Sequence, residues 1–189
     1  MRIKRAVTVG ALLLMSASLT ACGGDEGNSD GDGTAGSPGL PEAADMASIE
    51  QFMNKYTSCT GLTPGDEYDD SALRDKDPAW GEDLDNDLPD WGIKERAVCR
   101  DAYHDSNTLV LVSDMKKFQA TLKAKNYSGL LAGKNFLVQP GDDQTVKELK
   151  ASGLKYLSCD PGLHLPSGYK QEPALVEGCV LTDYFPAEI

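Results

Sequence analysis

Three carboxylates at alternating positions are the residues of this sequence whose spacing could bind a metal ion. Asp83, Asp85 and Asp87 repeat the pattern that opens an EF-hand calcium loop. The rest of that loop is missing, because Leu88 stands where the turn needs glycine and Lys94 stands where a bidentate glutamate is needed. The spacing therefore predicts at most a weak calcium site of another type. The alternative is a solvated acidic loop, and no other cofactor is predicted.

Two tryptophans in the same acidic region could bind a sugar. Trp80 and Trp91 are each followed by glycine, and Tyr68 lies in the same segment. Aromatic rings beside carboxylates can stack on wall glycans while the carboxylates accept hydrogen bonds from sugar hydroxyls. Aromatic residues more often anchor a long loop, because burying one ring removes roughly 150–250 Å² from water. We expect loop anchoring ahead of glycan stacking.

No motif in the chain identifies a catalytic residue. The segment SDMK, from Ser113 to Lys116, matches the S-x-x-K motif of penicillin-binding and β-lactamase enzymes. Neither of the companion motifs, S-D-N and K-T-G, is present, so we expect a capping role for Ser113, with Asp114 as the other candidate cap of the same helix. His104 and His164 lie in turn-rich segments without a nucleophile motif, and we expect both to have surface or structural roles.

The cysteines divide into one near the start of the chain, Cys22, and four others. These four are Cys59, Cys99, Cys159 and Cys179. An even number of cysteines in the folded part indicates disulfides and an oxidising compartment, and four cysteines allow three pairings. Because the sequence contains no C-x-x-C motif, thiol redox chemistry is not expected.

Residues 1–22 have the organisation of an export signal. A basic start, MRIKR, precedes an apolar run, AVTVGALLLM, and small residues lead to Cys22. The apolar run is shorter than the roughly 20 residues that span a bilayer, and Ser16 and Ser18 follow it. We therefore expect a leader that is removed, not a transmembrane anchor.

The segment LTAC, from Leu19 to Cys22, resembles the lipobox of bacterial lipoproteins. The resemblance implies cleavage between Ala21 and Cys22 and transfer of diacylglyceryl to the sulfur of Cys22. Two acyl chains, such as palmitate, give stable membrane attachment, whereas one chain binds only marginally. Localisation at the outer face of the cytoplasmic membrane, with Cys22 as the lipidation site, follows from this resemblance.

The composition predicts three regions in the chain. Residues 1–21 form the signal peptide, and residues 22–45 form the lipidated cysteine and a Gly, Asp and Ser linker, expected to be disordered. Residues 46–189 form a single domain in which residues 61–91 are an acidic insert with little periodicity.

Hydrophobic periodicity predicts an α+β fold for residues 46–189. A helix with Ser48 and Gln51 spaced as a capping box should end near Cys59, and two more helices should lie in MKKFQATLKAK and DDQTVKELKASG. IKERAVCRDAY and TLVLVSD should pair as an antiparallel hairpin with its turn at residues 105–107. LLAGKNFLVQP should supply one strand, and the order strand, helix, strand predicts a parallel crossover. The prediction is a small mixed β-sheet packed by two or three helices and stapled by disulfides.

From Ser48 to Cys159, this order of elements resembles that of small secreted actinobacterial lipoproteins of unknown function. The resemblance rests on a helix ending in cysteine, a strand containing Cys99, and the segment GKNFLVQP before a helix. It implies a pairing of Cys59 with Cys99, which leaves Cys159 to close the tail with Cys179. The chain departs from that family at Ser58, where glycine is common, and at Phe136, where tryptophan is common. The family offers no catalytic residues to carry over.

The charge of the chain limits its partners. The formal net charge is −12, and removal of the leader, with Arg2, Lys4 and Arg5, makes the mature chain more negative still. Such a surface repels phosphate backbones, so no nucleic acid partner is expected. We predict a membrane-anchored, non-catalytic binding module whose partner is a cell-wall component or another envelope protein. The alternative is an envelope hydrolase using carboxylates of the insert, such as Glu67 with Asp69 or Asp70.

Overall fold

The computed structural model describes residues 39–64 and 89–186. These residues form an α+β domain with an eight-stranded sheet and three helices, so the predicted class is confirmed. The helices are α1 (Met46–Met53), α2 (Met115–Lys125) and α3 (Asp143–Leu149). The strands are β1 (Thr60–Pro64), β2 (Ile93–Arg100), β3 (Ser106–Val112), β4 (Leu130–Ala132), β5 (Phe136–Gln139), β6 (Lys155–Ser158), β7 (Gln171–Pro173) and β8 (Val180–Thr182).

The sheet has the order β1-β2-β3-β5-β4-β6-β8-β7, and each neighbouring pair among the described strands is antiparallel. The predicted β2–β3 hairpin is confirmed. The predicted mixed sheet is wrong, because the neighbouring described strands pair only in the antiparallel sense, and LLAGKNFLVQP forms two strands instead of one. β3 and β4 do run in the same direction, as the strand–helix–strand order predicts. β5 lies between them and is antiparallel to both.

Helix α1 begins one turn earlier than its capping pattern suggested. The Asp45 carboxylate accepts hydrogen bonds from the backbone N–H of Ser48 at 2.8 Å and from its hydroxyl at 2.6 Å. Asp45 is therefore the N-cap, and Ser48 lies inside the helix. The helix ends at Met53 instead of near Cys59, and the Asn54 side chain bonds both the N–H and the carbonyl of Cys59.

Helices α2 and α3 follow the predicted periodicity. In α2, Phe118 and Leu122 are buried, and Asn126 ends the helix in the left-handed conformation with φ 54°. In α3, Val146 and Leu149 are buried, and the Asp142 side chain accepts the Thr145 N–H at 2.6 Å. Both helices begin at an aspartate N-cap, which satisfies backbone donors that the first turn leaves free.

The central strand β3 is buried on both faces. Leu109 and Leu111 face the core beneath α1 and α3, whereas Val110 and Val112 face the core beneath α2. Because both faces of β3 are buried, its segment TLVLV is a continuous apolar run without alternating polar residues. Helices thus cover both faces of the sheet.

Two buried disulfides join the described elements, and both predicted pairings are confirmed. Cys59–Cys99 connects the segment after α1 to β2, and Cys159–Cys179 connects the end of β6 to the start of β8. By loop-closure entropy, separations of 40 and 20 residues correspond to about 4 and about 3 kcal/mol.

Candidate functional site

The turn between β2 and β3 is built around a buried carboxylate. Asp101 is 5% exposed, and its Oδ1 accepts the backbone N–H of Tyr103 at 2.7 Å and of Asp105 at 2.9 Å. The backbone N–H of Asp101 also donates to the Asp105 carbonyl at 3.0 Å. The turn therefore occupies residues 101–105. The predicted turn at 105–107 was placed too late, since Ser106 and Asn107 already pair within β3.

The same turn presents an aromatic side chain to solvent. Tyr103 is 68% exposed, and His104 adopts a left-handed conformation with φ 71°. The Arg100 guanidinium donates to the His104 carbonyl and to the Ser106 hydroxyl, both at 3.0 Å. The tip is thus held in one geometry by side chains on both sides of it, with the tyrosine ring free to contact a partner.

The start of α3 lies against this turn. Asn107 on β3 accepts the Gly141 N–H at 2.9 Å, which places the following residue, Asp142, beside the turn. The Thr145 hydroxyl donates to Asp101 Oδ2 at 3.4 Å. Pairing of β3 with β5 is what brings these segments together, because α3 follows β5 directly.

The result is a cluster of three carboxylates from two distant parts of the chain. Asp101, Asp105 and Asp142 each offer an oxygen, and these oxygens lie within 4.8 Å of one another. Asp105 is exposed and Asp142 half-buried, so solvent reaches the cluster. Carboxylate oxygens are the ligands of hard cations such as calcium, and three of them would supply part of its coordination of roughly six to eight oxygens.

Sequence reasoning missed this carboxylate cluster. The available signals were an aspartate after the apolar run of β2 and an aspartate ahead of the α3 periodicity. Neither signal says that Asp101 and Asp142 meet, because that depends on the β3–β5 register. The predicted calcium residues are different ones. Asp83, Asp85 and Asp87 lie outside the described residues, as do Cys22, Trp80, Tyr68, Glu67, Asp69 and Asp70.

Trp91 and Ser113 both belong to the packing of α2. Trp91 is 5% exposed and its ring lies 6.0 Å from that of Phe118, so this tryptophan anchors the chain in the core and offers no face to a glycan. The Ser113 hydroxyl donates to the Gly92 carbonyl at 2.9 Å, and Asp114 is the N-cap of α2. Of the two candidate caps, Ser113 is wrong and Asp114 is confirmed, because the Asp114 carboxylate accepts the Lys117 N–H at 2.9 Å.

The two histidines lie in different segments of the described chain. His104 is at the tip of the β2–β3 turn, and His164 is in the segment between β6 and β7. Both are exposed, as expected for surface residues.

A pocket of about 300 Å³ lies at the other end of the sheet. Leu40 and Leu181 contribute its apolar walls, and Lys155, Lys170 and Glu172 contribute its charged groups. A smaller cavity of about 80 Å³ lies between α3 and Phe185. The larger of these two has a volume at the lower end of the range for small-molecule sites.

No protein-family model matches the chain, and neither a curated protein nor a solved structure is similar to it. Among the helices of residues 39–64 and 89–186, none has the length and hydropathy to cross a membrane.

Proposed function

We propose that this chain is an exported lipoprotein held at the outer face of the cytoplasmic membrane through Cys22. Its folded domain acts as a non-catalytic binding or interaction module of the cell envelope. The observation that carries the proposal is the pairing of Cys59 with Cys99 and of Cys159 with Cys179. Structural disulfides form and persist in oxidising compartments and are rare in the cytosol.

The same pairing bears on the role of Cys22. The chain has five cysteines, and the two disulfides use four of them. Cys22 therefore has no cysteine left within the chain to pair with. A sulfur without a partner cysteine, placed at the end of a lipobox-like segment, supports acylation as its role.

The binding role is supported by the turn at residues 101–105. An exposed tyrosine on a turn that Asp101 and Arg100 hold in place offers a large contact surface at small entropic cost. Carboxylates beside it can accept hydrogen bonds from a hydroxyl-rich wall component. Another envelope protein is the other class of partner that suits an exposed tyrosine.

Substitution of Cys22 by alanine tests the anchoring. We expect Cys22→Ala to leave the chain unprocessed or to release it into the medium, because no sulfur remains for the acyl chains. Membrane and soluble fractions and the mass of the chain in each provide the readout. A Ser29→Ala variant is the matched control and should stay in the membrane fraction with lipid. An unchanged lipid-modified membrane fraction of Cys22→Ala would contradict the proposal.

A further inference from the structure

The pocket at the β6–β8–β7 end of the sheet has two lysines in its wall, although the chain as a whole carries a net charge of −12. Lys155 lies on β6, and Lys170 immediately precedes β7. Glu172 is the carboxylate that shares the lining with them. The lining is therefore more positive than the average surface of this protein, which indicates an anionic ligand.

Neither lysine of the pocket is engaged by another group within the described part of the chain. Other lysines there are engaged: Lys134 forms an ion pair with Glu42 at 2.8 Å, and Lys117 and Lys123 donate to backbone carbonyls. No such bond involves the ammonium groups of the pocket lysines. Both ammonium groups are thus free to bind a ligand, and lysine binds phosphate and carboxylate as a point charge.

The backbone at Lys170 is fixed in position. Its N–H donates to Asp183 Oδ1 at 2.7 Å, and its carbonyl accepts the Thr182 hydroxyl at 2.7 Å. These bonds tie the residue to the segment around β8. Leu181 of β8 and Leu40 provide an apolar surface beside the lysines, so the pocket suits a ligand with both an anionic and an apolar part.

The position of two pocket residues along the chain narrows the class of anion that the pocket would bind. Gly39 and Leu40, the first described residues, line it, and Gly39 follows Cys22 by 17 residues. Along the chain, this is the part of the domain nearest to the proposed anchor. The anions most abundant at a membrane surface are the phosphates of lipid headgroups.

We propose that this pocket is a binding site for a phosphate group attached to a small apolar or glycerol-like moiety. Lys155 and Lys170 bind the phosphate oxygens, and Leu40 and Leu181 contact the remainder of the ligand. The choice of phosphate over other anions rests on the lipid anchor proposed above. The anionic character of the ligand does not depend on the anchor, because it follows from the two free lysines and the pocket.

The test is a titration of the full chain, purified in a phosphate-free non-ionic detergent, with glycerol phosphate. Methyl resonances of Leu40 and Leu181 should shift saturably, and glycerol should leave them unchanged. A Lys155→Gln, Lys170→Gln double variant should weaken the apparent affinity by about tenfold or more, because it loses two charged donors. A Lys116→Gln, Lys125→Gln double variant, which changes the net charge equally on exposed positions of α2, should bind as the unmodified chain does.

Vesicles of phosphatidylglycerol distinguish the source of the phosphate. Competition between vesicles and glycerol phosphate for the pocket would assign a lipid headgroup, and glycerol phosphate binding without competition would assign a soluble phosphate compound. The absence of a saturable shift, or an equal loss of affinity in the two double variants, would overturn the proposal. The glycerol phosphate titration does not require lipid on Cys22, so its failure is distinguishable from failure of the anchor.

Discussion

At the scale of single residues, Asp101 determines the geometry of the candidate binding turn. Its carboxylate is buried and accepts two backbone N–H groups of the turn that carries Tyr103. Both bonds are part-buried and their acceptor is a carboxylate, and a hydrogen bond to a charged group contributes about 1.5–3 kcal/mol. The shape of the turn therefore depends strongly on the Asp101 side chain.

We predict that Asp101→Ala lowers the free energy of unfolding of the full chain by about 2–4 kcal/mol. Urea unfolding measures this loss. Asp160→Ala is the matched control, since the Asp160 carboxylate accepts a single backbone N–H, that of Gly162 at 2.7 Å, on the exposed surface. We expect the control to lose less than about 1 kcal/mol. Equal losses in the two variants would show that burial of Asp101 is unimportant.

Tyr103 is predicted to affect binding and not stability. Because its side chain is 68% exposed, Tyr103→Ala should change the free energy of unfolding by less than about 0.5 kcal/mol. Co-sedimentation with purified cell-wall glycan should weaken by about fivefold or more, the effect of removing an aromatic contact at an interface. Tyr56→Ala, at a tyrosine that is 36% exposed beside α1, is the control. Equal sedimentation of the two variants would contradict a role for the turn.

At the scale of elements, the contact between Gly92 and the start of α2 sets where that helix lies on the sheet. The Gly92 carbonyl accepts the N–H groups of Ser113 and Asp114 at 2.8 and 3.1 Å and the Ser113 hydroxyl. Gly92 has φ +72°, and a Cβ there would lie 2.6 Å from the Asp114 carbonyl oxygen. Glycine is thus required both for its conformation and for its size.

We predict that Gly92→Ala costs about 3 kcal/mol of unfolding free energy, and that Gly61→Ala costs about 1 kcal/mol. Gly61 is the matched control because it also has positive φ, at +65°, but has nothing within 4 Å of the position a Cβ would take. The difference between the two variants measures the steric contact with α2. Denaturant unfolding of both full chains provides the values, and equal costs would show that only backbone conformation matters.

Local signals in the sequence predicted most helices and strands. The errors concerned which strands pair and at which residue a helix begins. The periodicity of Phe118 and Leu122 predicted α2 because a buried helix face has a regular spacing. The prediction of a single strand in LLAGKNFLVQP was wrong because Gly133 and Lys134 turn the chain within that segment. No local pattern shows that β5 enters between β3 and β4, since that pairing is a property of the whole sheet.

The candidate site was unpredictable for the same reason. Metal-binding patterns are recognised when the ligands are close in the sequence, as at Asp83, Asp85 and Asp87. The carboxylates of Asp101 and Asp142 meet only after β3 has paired with β5. Their chemistry could be read from the sequence, but their proximity could not.

At the scale of the whole molecule, the charge limits the classes of partner and the disulfides contribute to stability. Thirty acidic residues against eighteen basic ones disfavour phosphate backbones as partners of the general surface, and the lysines of the pocket are a local exception. Two disulfides stabilise the domain by about 3 and about 4 kcal/mol, a large part of the stability of a domain this size. Such a domain is suited to an oxidising compartment outside the cytosol.

The most direct test of anchoring through Cys22 and of the two disulfides is the mass of the intact chain. For this measurement the chain is extracted from the envelope fraction and alkylated with and without prior reduction. The account predicts a chain that lacks residues 1–21, carries diacylglyceryl on Cys22, and gains alkyl groups only after reduction, at the four disulfide cysteines. A chain that retains its leader, or a Cys22 thiol that is alkylated without reduction, would contradict it.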